Sequence, residues 1–562
     1  MRREVSVVNK KVCSFPILFA LLALVVGTCA VVFPASAQAA PTSTGSITVS
    51  GTVASSYDAY QIFSANVVDG DSDAKIATDL TWANDAARDA VLPVLHSAGM
   101  PKSQTTAQEA AEWLNADSHL TSALSAQLAR SLQSSGAVSV ALNAGTAAEL
   151  PCGYWLIVAD DDAIAQNEAG TAPIMALVGG SAVTVKPKAA TPKVAKHVLE
   201  DSTAAWQKAA DATVADDLYW RLSATVPAGL SAYDTYTVQF VDTMSAGLDP
   251  SKVAASMRVY VASGADGGFD AVSTGKDGCV GTEPAKGWTD ITAQCVTKVA
   301  ADGTFTVRTG DLIAALGGAD AFTAGARVVA VYNAPLNSAC NHGIAKGNPN
   351  EVYLRYPRSP FADQSGDAGF TRTPSDDATA YTWDLALTKR GSDGDKPLAG
   401  AVLSIADERG RTLAADSTWD AEGKATVTTG EDGRVTVSGV DSGKLEVREL
   451  KAPKGYAAFE GTRSVTVKAE GLDVDQVAAA KPKLTITAES PLRADSADGS
   501  TGSLEASLIN TPTGTPPSIT TGGFMPSTGD MAMYAAAAAA VAGAALIVVA
   551  LLVKRGGGSH KE

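Results

Sequence analysis

An uncharged apolar run close to the C-terminus limits what this chain can fold into. Residues 531–553 contain no Asp, Glu, Lys or Arg, and Lys554 and Arg555 follow them directly. A helix of that length crosses about 30 Å of hydrocarbon, so the run predicts a transmembrane helix rather than a helix of a soluble core. Basic residues just beyond a span favour the cytoplasmic side. The body of the chain, which precedes the span, is therefore predicted to lie outside the cell.

The N-terminus has the layout of a secretory signal peptide. Basic residues precede an apolar stretch over residues 15–33, and an Ala-x-Ala site follows, with cleavage after Ala37 or Ala39. We assign residues 1–39 to this signal peptide, and an uncleaved first transmembrane helix is the alternative. The exported remainder is long enough for about three domains.

Composition excludes several functional classes. The formal net charge is −16, whereas a nucleic-acid partner would require a basic surface. The five histidines show no metal-ligand spacing, so no metal site and no cofactor are predicted. No local signature of a nucleophile with its base is present, so the chain is not predicted to be an enzyme.

Four of the six cysteines lie in the exported part, and an even number there permits disulfides. Cys279 and Cys295 close a short loop and are the preferred pair. Cys152 with Cys340 would then link two domains. Four cysteines allow three connectivities, which the sequence alone does not separate.

Runs of β-forming residues, separated by Gly, Pro, Asp and Ser turns, divide the exported chain into three blocks. Residues 41–187 combine such runs with a helical stretch that opens on a Thr-Ala-Gln-Glu capping box, so this block is predicted to be α+β. Residues 192–372 and 380–512 show the short β-rich runs of β-sandwiches. Residues 513–524 are rich in Pro, Thr and Gly and predict a linker. The predicted fold class is mainly β, with tandem immunoglobulin-like β-sandwich domains after an α+β N-terminal domain.

Five residues shortly before the apolar run give it a more specific meaning: Met525, Pro526, Ser527, Thr528 and Gly529. This sequence resembles the Leu-Pro-x-Thr-Gly cell-wall sorting signal of Gram-positive surface proteins, with Met525 in place of Leu. Pro526 favours an extended chain at itself and at the preceding residue, which suits binding in a groove. The resemblance implies that a sortase cleaves after Thr528 and transfers its carboxyl group to an amine. Residues 525–562 would then be the sorting signal, transmembrane helix and basic tail.

The third block carries motifs that resemble a collagen-adhesin B-type domain of Gram-positive pilins. The octapeptide from Glu449 to Tyr456 resembles the pilin E-box, the run that ends at Lys389 resembles the opening strand, and the Ser-Leu-Ile-Asn that ends at Asn510 resembles the closing strand. The resemblance implies an intramolecular isopeptide bond from Lys389 to Asn510, with Glu449 as catalyst. Burial would favour the neutral lysine that such an attack on an amide needs.

The second block resembles the related A-type domain of pilins. Lys196 lies where that family has its bonding lysine, and Asp242 matches the catalytic acid, with Asp234 as the fallback. After the closing strand the family has Ser-Asn-Asn-Pro, whereas residues 357–360 are Pro-Arg-Ser-Pro. The acceptor asparagine is thus missing from its usual place, and whether this block forms a bond stays open.

The junction of the first two blocks supplies a candidate lysine for polymerisation. Residues 182–188 resemble the pilin motif Val-x-Val-Tyr-Pro-Lys, whose last lysine accepts the sorted threonine of the next subunit. The resemblance implies Lys188 as the acceptor, with Lys186 as second choice. A basic linker is the alternative interpretation.

Together these motifs resemble a sortase-assembled backbone pilin, the major fimbrial subunit of a Gram-positive cell. The implied partners are a sortase, identical subunits in a covalent polymer and peptidoglycan, with host or bacterial surface ligands left open. The implied location is the cell wall and its pilus, with the precursor in the plasma membrane only before sorting. A monomeric or accessory wall-anchored adhesin is the first alternative, and a wall-anchored hydrolase is the second.

Overall fold

The computed structural model of the chain describes residues 43–514, apart from 72, 73, 117, 171, 188–190 and 277. The predicted signal peptide, sorting signal, transmembrane helix and polymerisation lysine Lys188 lie outside the described residues. The described chain is mainly β, as predicted, and its six sheets divide among three consecutive parts. We call these parts the N-terminal, middle and C-terminal domains. Within them, no helix is long and apolar enough to cross a membrane.

The N-terminal domain has two sheets and three helices. Its strands are β1 (Thr44–Val49), β2 (Ser56–Asp69), β3 (Lys75–Trp82), β4 (Val140–Asn143), β5 (Ala147–Pro151), β6 (Gly153–Ala159), β7 (Ile174–Val178) and β8 (Val183–Val185). Its helices are α1 (Asp85–Ser97), α2 (Ala107–Asn115) and α3 (Ser122–Ser134). One sheet has the order β5-β1-β8, and the other has the order β3-β2-β6-β7 with β4 paired to β2.

Strand β6 lies inside its sheet and is apolar along its whole length. Leu156 and Val158 face a core that the three helices cover, whereas Trp155 and Ile157 face a core shared with the other sheet. Successive strand residues point to opposite faces, so a strand buried on both faces is apolar throughout. Helix α2 begins at the predicted capping box, in which the Thr106 side chain accepts from the Glu109 backbone N–H.

The middle domain is a sandwich of two sheets around one core. Its strands are β9 (Lys193–Glu200), β10 (Ala205–Gln207), β11 (Ala209–Asp211), β12 (Tyr219–Val226), β13 (Gln239–Met244), β14 (Arg258–Ser263), β15 (Thr289–Asp290), β16 (Val296–Val299), β17 (Thr304–Arg308), β18 (Ala326–Asn333), β19 (Asn348–Pro357), β20 (Phe370–Arg372) and β21 (Asp376–Tyr381). Three short helices connect them: α4 (Val253–Ser256), α5 (Leu312–Ala315) and α6 (Ala319–Phe322). The sheet orders are β10-β9-β12-β18-β14-β15 and β11-β21-β19-β13-β17-β16, with β20 paired to β19.

The C-terminal domain is a second sandwich. Its strands are β22 (Trp383–Gly391), β23 (Val402–Ala406), β24 (Thr412–Leu413), β25 (Trp419–Asp420), β26 (Val427–Thr428), β27 (Arg434–Val440), β28 (Gly443–Lys451), β29 (Tyr456–Ala457), β30 (Thr462–Glu470), β31 (Lys483–Ala488), β32 (Leu492–Asp498) and β33 (Ser503–Pro512). One sheet has the order β27-β22-β33-β29 with β32 on β33, and the facing sheet has the order β25-β24-β23-β28-β30-β31 with β26 on β23. The first and last strands, β22 and β33, are parallel neighbours.

The expected disulfide between Cys279 and Cys295 is not formed, and the described cysteines form no other. Cys295 packs against the middle core, and its thiol lies 3.3 Å from the Ile291 carbonyl oxygen, whereas Cys279 is exposed. Cys152 and Cys340 are buried in different domains, so they do not form the second pair.

Polar contacts join the middle and C-terminal domains. The Asp211 carboxylate accepts hydrogen bonds from the Trp383 indole N–H at 2.6 Å and from the Ser442 backbone N–H at 2.9 Å. His342 Nδ1 lies 2.8 Å from Asp384 Oδ2 across the same junction. These buried and half-buried groups tie the end of one sandwich to the start of the next.

Candidate functional site

Three polar residues of the C-terminal domain occupy positions that the strand pattern assigns to the core. Lys389 follows the inward-facing Leu385 and Leu387 on β22 with the same period of two residues. Glu449 continues the inward row of β28 in the same way, and Asn510 continues that of β33. Because side chains alternate along a strand, each residue is directed into the sandwich. Lys389 and Glu449 have side chains with no exposed surface, and Asn510 is 2% exposed.

The three side chains meet as the resemblance implied. Lys389 Nζ lies 3.6 Å from Glu449 Oε1 and donates to the Leu508 carbonyl oxygen at 3.2 Å. The Asn510 amide nitrogen donates to both carboxylate oxygens of Glu449, at 2.8 and 2.9 Å. Lysine and asparagine come from paired strands of one sheet, and the glutamate reaches them from the facing sheet.

Burial prepares this lysine to react. It lowers the pKa of Lys389 to about 8, while the neighbouring Glu449 raises it in opposition. A sizeable fraction of the amine is therefore neutral near physiological pH. The amide oxygen of Asn510 has no hydrogen-bond partner within the described part of the chain. A half-turn of that amide would place the oxygen on Glu449, where a protonated carboxyl could donate to it and polarise the carbonyl.

The middle domain holds a second cluster of the same kind. Lys196 shares the inward row of Val194 and Val198 on β9, and Asp242 lies between the inward-facing Phe240 and Met244 on β13. Both side chains have no exposed surface, and Lys196 Nζ contacts Asp242 Oδ2 directly. The predicted pair of lysine and acid is thus brought together across the two sheets.

The fallback acid is not in this cluster. Asp234 is exposed and pairs with Arg130 of the N-terminal domain at 3.0 Å.

The sequence motifs did not identify the amide of this cluster. Asn350 on β19 is fully buried, and its amide nitrogen donates to the Tyr332 hydroxyl at 2.9 Å. The same hydroxyl accepts from Lys196 Nζ at 2.9 Å and donates to Asp242 Oδ2 at 3.1 Å. Strand alternation contained the signal, because Asn350 has the parity of the buried Val352 and Leu354.

The segment in which the pilin family has its acceptor asparagine makes contacts between domains in this chain. Residues 357–360 contact the N-terminal domain: the Gly170 backbone N–H donates to the Arg358 carbonyl at 2.6 Å, and the Arg358 guanidinium donates to the Asp161 carbonyl at 3.2 Å. Those side chains include no amide, so none of them could act as the acceptor of an isopeptide bond.

Burial shifts the acid and the base of the middle cluster in opposite directions. It lowers the pKa of Lys196 to about 8 and raises the pKa of Asp242, so both changes favour the neutral forms. Rings of Trp220 and Tyr332 lie 5.5 Å from Lys196 Nζ. Aromatic walls exclude water from the amine and maintain the low polarity that shifts its pKa.

The predicted polymerisation motif is described only in part. Lys186 is exposed directly after strand β8, which is an edge strand of its sheet. Lys188 lies outside the described residues. Within the described ranges no group of His, Cys, Asp and Glu side chains is arranged to hold a metal ion.

Comparison with known proteins shows which proteins parts of this chain resemble. Residues 384–481 match the family described as SpaA, prealbumin-like fold domain. The trypsin-resistant surface T6 protein of Streptococcus pyogenes serotype M6 is 30% identical over 143 residues, which cover 24% of this chain and 24% of that protein. The chain resembles Gram-positive backbone pilins. In this match it spans about a quarter of the length of the curated relative.

Solved structures of major pilins give low similarities over most of the chain. The T6 backbone pilin of Streptococcus pyogenes matches with 16% identity and a TM-score of 0.45, covering 84% of this chain and 98% of that one. The major pilin SpaD of Corynebacterium diphtheriae matches with 16% identity and a TM-score of 0.41, again covering 84% and 98%.

Proposed function

We propose that this chain is the structural backbone subunit of a covalently assembled pilus on a Gram-positive cell. A sortase would join Thr528 of each subunit to Lys188 of the next, and the last subunit would be attached to peptidoglycan. The observation that supports this most is the pair of buried lysine, acid and amide clusters in consecutive sandwich domains. Such clusters suit a protein that is built to be cross-linked from within. The predicted export and sorting signals lie at the two ends that polymerisation requires.

Each sandwich would carry one internal amide bond. In the C-terminal domain the bond would run from Lys389 to Asn510 within one sheet, with Glu449 as the acid. In the middle domain it would run from Lys196 to Asn350 between the two sheets, with Asp242 as the acid. In both cases the lysine amine displaces the amide nitrogen, which leaves as ammonia.

Replacement of the acceptor lysine tests the polymer. In the native organism, Lys188→Arg should abolish the high-mass ladder on denaturing gels, because arginine keeps the charge but supplies no comparable nucleophile. Lys193→Arg is the matched control, since Lys193 is an exposed lysine of the same region and should leave the ladder unchanged. If the ladder persists in Lys188→Arg and also in the double variant with Lys186→Arg, the chain is not polymerised through this motif.

The alternative is a wall-anchored adhesin that is never extended by another subunit. It shares the sorting signal and the internal bonds, so only the ladder separates it from the backbone subunit. Wild-type cells that display the chain at its single-subunit mass alone would favour this alternative.

A further inference from the structure

We propose that Tyr332 is a catalytic residue of the middle cluster, which carries a proton between Asp242 and the departing nitrogen of Asn350. This role rests on the Lys196–Asn350 bond of the proposed function. The ring of Tyr332 packs in the core, and its hydroxyl forms hydrogen bonds with both Lys196 Nζ and the Asn350 amide nitrogen.

The hydroxyl is the point where the three functional groups meet. It accepts from Lys196 Nζ and from the Asn350 amide nitrogen, each at 2.9 Å, and donates to Asp242 Oδ2 at 3.1 Å. The ring is fully buried and packs edge-on against Phe305, with centroids 4.8 Å apart. Its position is therefore determined by core packing and does not depend on the polar contacts alone.

The C-terminal cluster shows why the middle cluster needs such a group. There Glu449 contacts the Asn510 amide directly with both carboxylate oxygens. Asp242 is one methylene shorter, and among the described hydrogen bonds its route to the Asn350 amide passes through Tyr332. The tyrosine hydroxyl thus takes the place beside the amide that the longer acid occupies in the other domain.

The proton balance of the reaction gives Tyr332 a defined step. Lys196 first transfers a proton to Asp242, and the neutral amine attacks the side-chain carbonyl carbon of Asn350. In the tetrahedral intermediate the amide nitrogen is basic, so Tyr332 donates its proton to that nitrogen while it takes the proton of Asp242. The carbon–nitrogen bond breaks and ammonia leaves. The new amide nitrogen returns its extra proton to Asp242, which ends protonated, and total charge is unchanged.

The surroundings of Tyr332 favour a phenol that transfers protons but stays neutral. Burial and the nearby Asp242 raise the pKa of Tyr332 well above its usual value, so the phenol stays protonated at neutral pH. A neutral hydroxyl with one donated and two accepted hydrogen bonds can exchange its proton along these contacts.

Pulse-labelling of the full chain in the expressing cell, followed by digestion and mass spectrometry, measures each branched peptide over time. Tyr332→Phe should slow formation of the Lys196–Asn350 peptide by about 100-fold or more, the range of general acid–base catalysis. The Lys389–Asn510 peptide of the same molecules should form at the wild-type rate. Tyr233→Phe is the matched control, because its buried hydroxyl has no partner within the described residues.

A wild-type rate for the middle bond in Tyr332→Phe would overturn the proposal. Absence of the Lys196–Asn350 peptide from wild-type chain would also overturn it, while leaving polymerisation through Lys188 untouched. If Tyr332→Phe does not fold, wild-type chain with tyrosine replaced biosynthetically by fluorotyrosine provides the test. Its more acidic phenol should change the rate of the middle bond and not that of the C-terminal bond, whose described contacts include no tyrosine. Equal effects of fluorotyrosine on both rates would contradict the relay.

Discussion

Lys196 and Lys389 are the two lysines with no exposed surface among the described residues. A buried charge is costly unless it is paired, and even a paired one contributes little net stability compared with an apolar residue. Both lysines nevertheless share inward rows with apolar side chains, beside an acid and an amide. The proposed conversion of the amine to a neutral amide would remove the cost of the charge and leave a covalent link in its place.

Glu449→Ala should prevent the Lys389–Asn510 bond, so the intact mass of the variant should lack the loss of one ammonia that accompanies this bond in the wild type. Loss of a cross-link that closes residues 389–510 should lower the free energy of unfolding of the C-terminal domain by roughly 4–5 kcal/mol, from the chain entropy of a loop of about 100 residues. Intact mass and thermal unfolding measure the two effects. Glu446→Ala is the matched control, since Glu446 is on the exposed face of the same strand. If the intact mass of Glu449→Ala still shows the loss of one ammonia for this bond, catalysis by this acid is contradicted.

At the scale of single elements, β19 carries two buried asparagine amides, Asn348 and Asn350, on the same face. Asn348 is fully satisfied: its side chain accepts from the Asn341 backbone N–H and donates to the carbonyl oxygens of Asn341 and Ala380. Asn350, by contrast, has an amide oxygen without a partner in the described chain. An unsatisfied buried acceptor is expensive, and formation of the amide bond would change its surroundings.

Asn350→Ala should eliminate the Lys196–Asn350 branched peptide, whereas Asn348→Ala should retain it. The Asn348 variant should instead lose about 1–3 kcal/mol of stability for each buried group left unsatisfied. Peptide mapping and denaturant unfolding of the two variants make the comparison. A branched peptide that persists in Asn350→Ala would place the acceptor elsewhere.

The sequence predicted the centres of most strands but not all elements. Runs of β-forming residues predicted the centres of β22, β28 and β33, whereas the resemblance to pilin motifs singled out Lys389, Glu449 and Asn510. Strand β31 was not predicted, although Leu484, Ile486 and Ala488 alternate with polar residues along it. Strand β32 was not predicted either, because it is largely exposed and carries little apolar alternation. Asn350 was missed for another reason: the acceptor was sought at a motif position, although the parity of β19 already directed Asn350 inward.

At the scale of the whole molecule, the junction between the middle and C-terminal domains is polar and places His342 beside Asp384. Contact with Asp384 is the main cause that raises the pKa of His342 to about 10. A raised value in the folded state means that folding binds the proton more tightly. The stabilisation is therefore complete below the unfolded value of about 6.5 and is lost as pH rises through about 10.

His342→Gln should weaken the dependence of the free energy of unfolding on pH over this range. Wild-type chain should lose stability between about pH 6.5 and 10, and the variant should lose less over the same interval. Thermal unfolding at a series of pH values measures the difference. His119→Gln is a control, because His119 stacks on Trp113 within the N-terminal domain and lies away from this junction. Parallel profiles for wild type and His342→Gln would exclude the ion pair as the cause.

The parallel pairing of β22 with β33 determines how tension would cross the C-terminal domain. A pull on the chain enters at Trp383 and leaves after Pro512, and a bond from Lys389 to Asn510 connects the two strands directly. Residues 390–509 would then lie outside the stressed path, although they form nearly all of the domain's surface. Their loops could change in sequence or length without weakening the fibre, so surface variation and tensile strength would be separate properties of one fold.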